Sequence, residues 1–323
     1  MEVHQQSDVT AIFSTNHCLV CGERIERGSL NYSQEHIFPK WFLHHNTLWE
    51  ESLTLLNGSK IKYRDLKVPC CKLCNNENLS MIEERIRRGF LLGHAGIKDI
   101  DSNDLNLWLI KVYLGLLRKE CTLLINRASP SKGTILDTHD LAPLRILQSI
   151  LRGTKKHYNF RCNRGSTPAS LFVYKIKTET APKFNYFDTW STMCLMLSFG
   201  DTGILVVFDM GALSAQYEQL FRSYEDKELH YLQFLELTAR AVERSASNMH
   251  SPFCAVHETE HEISIDVVSS YTSSAFYRFG EFSLETLVDV YERLGGRRET
   301  LYNRSHWGGT LLLNSDGTFR ETI

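Results

Sequence analysis

Apolar residues at helical spacing mark out several segments of this chain. The clearest run places them three or four positions apart, at Leu105, Trp108, Val112 and Leu116. This spacing is typical of an amphipathic helix, and Ser102 stands where a helix cap is expected. The same spacing predicts further helices in the segments 79–90, 141–151, 231–242 and 284–294.

Strand-forming residues are concentrated in the second half of the chain. β-Branched and aromatic residues predict strands at 171–177, 193–199 and 203–210. Between the last two, the sequence GDTG at 200–203 predicts a tight hairpin turn, and NSDG at 314–317 predicts a second one. Helices and strands do not alternate regularly, as a doubly wound parallel sheet would require. The pattern therefore predicts an α+β fold.

The length of 323 residues suggests about two domains. A stretch rich in turn formers, 93–101, follows the part of the chain that carries the sequence motifs. We therefore expect an N-terminal domain at 1–100 and a larger α+β domain at 101–323. The second domain would position a substrate, sense a signal or bind a partner protein.

Two features argue against a membrane or secreted protein. The longest apolar run, 105–117, is interrupted by Asn106, Lys111 and Gly115, so it is too short to span a bilayer. The N-terminus lacks the basic start and apolar core of a secretory signal, and the nine cysteines are an odd number at uneven spacing. These features favour a cytoplasmic protein with reduced thiols.

Two C-x2-C motifs predict a structural zinc site. Cys18 and Cys21 form the first, and Cys71 and Cys74 form the second. Four thiolates are a complete tetrahedral ligand set for zinc, and the two-residue spacer lets both sulfurs of a pair reach one ion. Cys70 is an alternative to Cys71, but its spacing does not match the first pair. The other cysteines stand among apolar residues, which is typical of small buried side chains.

Between the two pairs stands the sequence EHIFPKWF at 35–42, and directly after the second pair comes NNE at 75–77. The order C-x2-C, E-H-I-x-P, C-x2-C-N resembles the zinc-binding form of the HNH (ββα-metal) endonucleases. It is similar in detail to bacterial HNH-type proteins with an unassigned C-terminal region. The resemblance covers residues 18–90, which is less than a third of the chain.

This resemblance implies a ββα-metal module that hydrolyses phosphodiester bonds with one divalent ion. It implies that His36 is the general base, and that Glu35 and Asn75 bind a catalytic Mg²⁺ or Mn²⁺. Asn76 is the alternative to Asn75 if the helix starts one residue later. The chemistry agrees, because a histidine can take a proton near neutral pH, and carboxylate and amide oxygens suit hard cations.

The chain departs from the HNH pattern at three places. The family usually has an asparagine a few residues before the second C-x2-C, whereas this chain has RDLKVP at 64–69. Asp65 could take its place, or Asn57 could reach in from further along the chain. The segment 43–67 has the length of an insertion, and the last metal position holds asparagine rather than the more common histidine, which favours magnesium or manganese.

A basic stretch suggests where nucleic acid would bind. Residues 141–178 contain eight Lys or Arg residues and no Asp or Glu, with His157, Tyr158 and Phe160 interleaved. Clustered cations can neutralise phosphates, and aromatic rings can stack on bases. We therefore expect nucleic-acid contacts from the cations of this stretch and of the helix predicted at 79–90, namely Arg85, Arg88, Arg152, Lys155, Lys156, Arg161 and Arg164.

The leading interpretation is a zinc-stabilised HNH endonuclease that cuts DNA in preference to RNA. A role in bacterial antiviral defence or in a mobile element follows by analogy only. One such module cuts one strand at a time, so a double-strand break would need a dimer or two separate events. The C-terminal domain could therefore form a homodimer or bind a partner protein. Two alternatives stay open: a non-catalytic zinc-dependent nucleic-acid-binding or scaffold protein, and a nuclease effector gated by a ligand on the C-terminal domain.

Overall fold

The computed structural model of the protein describes residues 14, 16–55, 57–161, 167–248, 253–268, 279–302 and 310–323. The helices in these residues are α1 (Lys40–His45), α2 (Ser80–Leu91), α3 (Gly93–Lys98), α4 (Ser102–Glu120), α5 (Arg145–Leu151), α6 (Ala212–Arg222), α7 (Tyr231–Ala246), α8 (Leu284–Arg293) and α9 (Arg298–Tyr302). A π-helical turn, Cys74–Leu79, directly precedes α2.

The strands are β1 (Tyr32–His36), β2 (Ser52–Thr54), β3 (Lys60–Lys62), β4 (Lys67–Cys71), β5 (His157–Arg161), β6 (Ser170–Ile176), β7 (Phe184–Thr189), β8 (Cys194–Phe199), β9 (Thr202–Val207), β10 (Glu228–Leu229), β11 (Phe253–Glu258) and β12 (Glu262–Val268). They form sheets in the orders β1–β4, β2–β3, β10–β6–β9–β8–β7 and β11–β12–β5. The described chain is therefore mixed α and β, which confirms the predicted class at this level.

The chain divides into two compact units, and each of them is built from separate segments. The first consists of Met1–Arg88, Ile100–Asn159 and Val256–Ile265, and the second contains the remaining segments. The chain passes from the second unit back into the first between Asp99 and Ile100, where the sequence suggested a boundary. Helix α4, which the sequence placed in the C-terminal domain, lies in the first unit.

The first unit contains a two-stranded ribbon followed by a helix. Strand β1 pairs antiparallel with β4, so that Glu35 is opposite Val68 and His36 is opposite Lys67. The chain leaves β4 and enters α2 through the π-helical turn. Between the two strands along the chain lie α1 and the hairpin β2–β3, and the hairpin lies within the segment 43–67 that the sequence identified as an insertion.

Helix α4 is the central helix of the first unit. Its residues from Leu105 to Arg118 are all buried, and Trp108, Lys111 and Tyr113 are essentially inaccessible to water. A helix that is buried on every face is normally apolar on every face. The charged Lys111 and Arg118 therefore need partners inside the unit.

The second unit is built on the five-stranded sheet with α7 against it. Phe234 of α7 is completely buried and packs against Tyr174 of β6, with ring centroids 5.9 Å apart. Gly203 of β9 permits this approach, because a Cβ there would lie 2.9 Å from the Phe234 ring. His230 caps α7 by accepting a hydrogen bond from the backbone N–H of Leu232.

Most of the elements predicted from spacing are present. Helices α4, α7 and α8 and strands β6, β8 and β9 lie where the sequence placed them, and β8 and β9 form the antiparallel hairpin around Gly200. At 314–317 the structure has a turn between two bridged residues, Leu313 and Phe319. No helix in the described part of the chain is long and apolar enough to cross a bilayer.

Three local predictions were wrong. The cap of α4 is Asp101 rather than Ser102, because its carboxylate accepts hydrogen bonds from Asn103 and Asp104. The turn-rich stretch 93–101 contains the helix α3, whose first turn donates from the His94 N–H to the Asp201 carboxylate. The helix predicted at 141–151 begins only at Arg145, because the segment before it, which contains Pro143, forms a 3-10 helix.

Replacement of Phe234 by alanine should lower the free energy of unfolding of the second unit by about 3–5 kcal/mol, since a buried aromatic side chain leaves a cavity. Urea unfolding followed by circular dichroism measures this change. Phe282→Ala is the matched control, because Phe282 is exposed and contacts mainly the Arg244 guanidinium. The control should lose less than about 1 kcal/mol. Equal losses in the two variants would contradict the assignment of Phe234 to the core.

Candidate functional site

Two turns bring four cysteines together in the first unit. Cys18 and Cys21 lie in the N-terminal turn, where Gly22 adopts a positive φ of 72° and donates from its N–H to the Cys18 carbonyl. Cys71 ends β4, and Cys74 begins the π-helical turn. The second pair therefore joins the ribbon to the helix, and the first pair connects this junction to the N-terminal segment.

The sulfur positions fit one zinc ion. The four Sγ atoms of Cys18, Cys21, Cys71 and Cys74 all lie within 4.8 Å of one another. Two of the separations are 3.7 Å, for Cys18–Cys71, and 3.9 Å, for Cys21–Cys71. A tetrahedron with Zn–S bonds of 2.3 Å has S–S edges of about 3.8 Å. The cluster can thus hold a metal ion such as zinc, as the sequence predicted.

Backbone groups and nearby cations also favour thiolate in this cluster. The Cys71 N–H donates to Cys18 Sγ at 3.3 Å, and the Cys74 N–H donates to Cys71 Sγ at 3.4 Å. Burial by itself would lower the pKa of Lys155. The attraction of Cys74 and Cys21 outweighs this effect, so the pKa of the lysine is raised. Four zinc-bound thiolates carry a net charge of −2, so a neighbouring cation stabilises them.

Cys70 is a fifth buried thiol beside the cluster. Its Sγ lies 3.6 Å from Cys18 Sγ, but the set of four mutually close sulfurs does not include it. Cys70 and Cys71 both approach Cys18, but of the two it is Cys71 that belongs to the set with Cys21 and Cys74. The choice of Cys71 as the ligand agrees with this geometry. Of the remaining cysteines, Cys194 is buried, Cys121 and Cys254 are half-buried, and Cys162 lies outside the described residues.

His36 ends β1 on the face of the ribbon opposite to Glu35. Its side chain is only 9% exposed, and its Nε2 has no hydrogen-bond partner among the described residues. The ring lies beside Trp49, with centroids 6.0 Å apart, and Trp49 stacks on His44 at 4.5 Å. Burial, and the cations Lys67 and Lys40, lower the pKa of His36 to about 4. The imidazole is therefore neutral at pH 7, and it is a weaker base than a solvent-exposed histidine.

Glu35 belongs to a buried group of charges. Its Oε1 lies 2.6 Å from Nζ of Lys111, and the same ammonium lies 2.9 Å from Oε1 of Glu83 on α2. Lys111 also donates to the backbone carbonyls of His36, at 2.5 Å, and Ile37, at 3.0 Å. Burial raises the pKa of Glu35 to about 7, with Lys111 acting against the shift and Glu83 adding to it.

Asn75 and Asn76 are in different positions. Asn75 is half-buried, and its Nδ2 donates to Ser33 Oγ at 3.0 Å and to the Gln34 carbonyl at 3.5 Å. Asn76 is exposed. Asn75 thus faces the ribbon, as the preferred assignment requires, whereas Asn76 faces solvent.

The predicted catalytic residues share the ribbon and its helix, but they do not contact one another. Among the described residues, neither the His36 ring nor the Asn75 amide forms a hydrogen bond with Glu35. Asp65 acts on the charge of His36, while Asn57 donates to the Leu124 carbonyl and accepts from Ser59. Of the two residues considered in place of the missing asparagine, Asp65 is therefore the one near His36.

The predicted nucleic-acid-binding cations are mostly paired with carboxylates. Arg152 and Lys156 each lie 2.9 Å from Glu258. Arg161 lies 3.9 Å from Asp266. Such pairs are partly exposed and exchange readily with solvent or phosphate, because exposed ion pairs are weak.

The cations on α2 show the same arrangement. Arg85 pairs with Asp104, and Arg88 lies 3.2 Å from Glu84. Lys155 is half-buried beside the thiol cluster, and Arg164 lies outside the described residues. His44 and His45 are exposed at the end of α1.

Sequence reasoning missed three charged residues at this site. Lys111 and Arg118 are polar positions inside an apolar helical run, and such positions can indicate buried ion pairs. Arg118 is almost fully buried and donates to the carbonyls of Ser14 and His17. Glu83 carries no signal of its own, because acidic residues are common on helices.

No protein-family model matches this chain. A search of the curated proteins finds no match, and neither does a search of the solved structures.

Protein purified without chelators should contain one zinc ion per chain, since the four thiolates form a complete ligand set. Elemental analysis measures this content. Cys21→Ser should lower it to near zero and unfold the first unit, because zinc binding and folding are coupled in small metal domains. Cys121→Ser is the matched control and should keep the full content, as should Cys70→Ser. Absence of zinc from the wild type, or its loss from Cys121→Ser, would rule out this site.

Proposed function

We propose that the first unit is an HNH-type endonuclease module that hydrolyses phosphodiester bonds with a divalent ion. The observation that carries this proposal is the arrangement of β1, β4 and α2. The ribbon and the following helix are joined by the thiol cluster, and they hold Glu35, His36 and Asn75. This is the ββα order that the sequence resemblance implies. DNA is the expected substrate.

His36 supplies the base in this proposal. It is neutral at pH 7, and its Nε2 has no partner in the described structure that would compete for the proton of a water molecule. Substrate must bring this water to the ring, because the imidazole is largely buried. A positioned base of this kind contributes about 10²–10⁴-fold to the rate.

Glu35 and Asn75 would hold the catalytic ion through a carboxylate and an amide oxygen, with Asn75 on the face of the ribbon that carries Ser33 and Glu35. A bound Mg²⁺ or Mn²⁺ stabilises the charge on the leaving oxygen. The role of the zinc is structural, since four thiolates leave no open position for substrate.

The C-terminal part of the chain is proposed to bind substrate, a signal or a partner chain. The cations at Arg152, Lys155 and Lys156 support a nucleic-acid contact, since phosphates can replace the weak ion pair with Glu258. A bacterial defence role, or one in a mobile element, fits a nuclease that is controlled by a second region, and it rests on analogy.

A second candidate function is a non-catalytic zinc-dependent nucleic-acid-binding protein. The observation that favours it is the salt bridge of Glu35 with Lys111, which occupies the carboxylate that would bind the ion. Cleavage assays separate the two candidates, because only a nuclease cuts nucleic acid and loses this activity when His36 is replaced.

His36→Ala should lower plasmid cleavage in Mg²⁺ or Mn²⁺ by about 10²–10⁴-fold, since the water loses its base. Glu35→Ala and Asn75→Ala should also reduce cleavage. Excess Mn²⁺ should partly restore it, because these two substitutions weaken the binding of the ion. Gel electrophoresis of supercoiled plasmid measures each rate.

Asn76→Ala is the matched control for Asn75→Ala, because Asn76 is the exposed neighbour on the same turn. It should cleave at close to the wild-type rate. If Asn76→Ala is inactive and Asn75→Ala is not, the two ligand assignments are exchanged. If purified wild-type protein cuts neither DNA nor RNA with any divalent ion while binding both, the second candidate function replaces the first.

Reversal of Lys155 and Lys156 to glutamate should weaken binding to nucleic acid and make it less dependent on salt, because fewer counterions are released. Fluorescence anisotropy with a labelled duplex, at several salt concentrations, measures both effects. Lys60→Glu combined with Lys132→Glu is the matched control, since both lysines are exposed and make no ion pair in the described structure. Equal salt dependence in the two double variants would argue against a contact at Lys155 and Lys156.

A further inference from the structure

The ammonium of Lys111 is surrounded by oxygen atoms deep inside the first unit. Carboxylate oxygens of Glu35 and Glu83 lie 2.6 Å and 2.9 Å away, and the carbonyl oxygens of His36 and Ile37 lie 2.5 Å and 3.0 Å away. The lysine side chain is completely inaccessible to water. Four oxygens from β1, the residue after it and α2 therefore surround one positive charge.

This set of oxygens is also suitable for a hard divalent cation. Carboxylate and backbone carbonyl oxygens are the usual ligands of such ions. Two carboxyl groups carry a charge of −2 when both are ionised, and a single ammonium compensates only half of it. A buried ion pair with one uncompensated charge is costly, so a dication would balance the site better than the lysine does.

We propose that Glu35 and Glu83 form a two-carboxylate cation site, in which the ammonium of Lys111 takes the place of a divalent ion. Glu83 is then a further cation-binding residue, and Lys111 competes with the ion for Glu35. The proposal rests on the proposed function only for its catalytic consequence. In the structure as described the nuclease centre is latent, and the ion reaches Glu35 only when Lys111 moves away.

The competition predicts the direction in which metal affinity changes when the charge of Lys111 is removed. An ammonium within 3 Å of both carboxylates repels a dication strongly in a medium of low dielectric constant. Removal of this charge should therefore strengthen metal binding. A lysine that only supports the fold would have the opposite effect, since its loss would disturb the carboxylates and weaken binding.

Titration with Mn²⁺, followed by the electron paramagnetic resonance signal of the free ion, tests the proposal on the zinc-loaded full chain. Mn²⁺ prefers oxygen to thiolate ligands, so it leaves the zinc site intact. Lys111→Met should gain one Mn²⁺ site per chain, with an affinity more than about tenfold above that of the wild type. Glu83→Gln in the Lys111→Met background should lose this gain.

Two further variants keep the test interpretable. Lys111→Gln retains a donor for the His36 and Ile37 carbonyls, so it preserves more of the fold while removing the charge. Lys119→Met is the matched control, because it lies on the same helix and forms no ion pair among the described residues. It should bind Mn²⁺ like the wild type. If Lys111→Met is unfolded without metal, Mn²⁺ should restore its thermal transition.

The proposal is overturned if neither Lys111 variant gains Mn²⁺ binding or Mn²⁺-dependent stability, whether it folds or not. It is also overturned if the gain in Lys111→Met persists after Glu83→Gln, because the added Mn²⁺ would then bind elsewhere. Its failure differs from that of the proposed function. If the wild type cleaves but Lys111→Met gains no Mn²⁺ binding, only the cation site is contradicted. If Lys111→Met gains Mn²⁺ binding but no variant cleaves, only the nuclease is contradicted.

Discussion

The four-thiol cluster is the constraint on which the first unit depends. It connects the N-terminal turn, the end of β4 and the start of α2, so that three segments distant in sequence meet at one point. The helix can therefore follow the ribbon directly, and Asn75 comes to lie against Ser33. Zinc bound by these thiolates would stabilise the junction of these three segments.

Buried charge governs the chemistry beside this cluster. Burial keeps His36 neutral, and Glu35 is buried in a group with Glu83 and Lys111 that has two carboxyl groups and one ammonium. Both the proposed nuclease and the proposed latency follow from that group, because the same carboxylate can hold either an ammonium or a metal ion. Lys111 also donates hydrogen bonds to the carbonyl oxygens of His36 and Ile37. It therefore connects the backbone at His36 with the proposed ion site.

The cations predicted to contact nucleic acid illustrate a different point. Arg152 and Lys156 look like an unopposed basic stretch along the chain, yet Glu258 lies beside both. A carboxylate about a hundred residues further along the chain decides how much positive charge is available. The same is true of Arg85, which Asp104 of α4 neutralises.

The sequence by itself determined the local features of this protein. The spacing of Cys18, Cys21, Cys71 and Cys74 predicted one metal site, because a C-x2-C turn points both sulfurs at one ion regardless of its surroundings. Apolar spacing placed α4, α7 and α8, since helical periodicity is a property of a single segment. Only the tertiary structure decided that Glu35 meets Lys111 and Glu83. Those contacts join β1, α4 and α2, and burial sets the energy of the charges there, which no spacing along one segment can show.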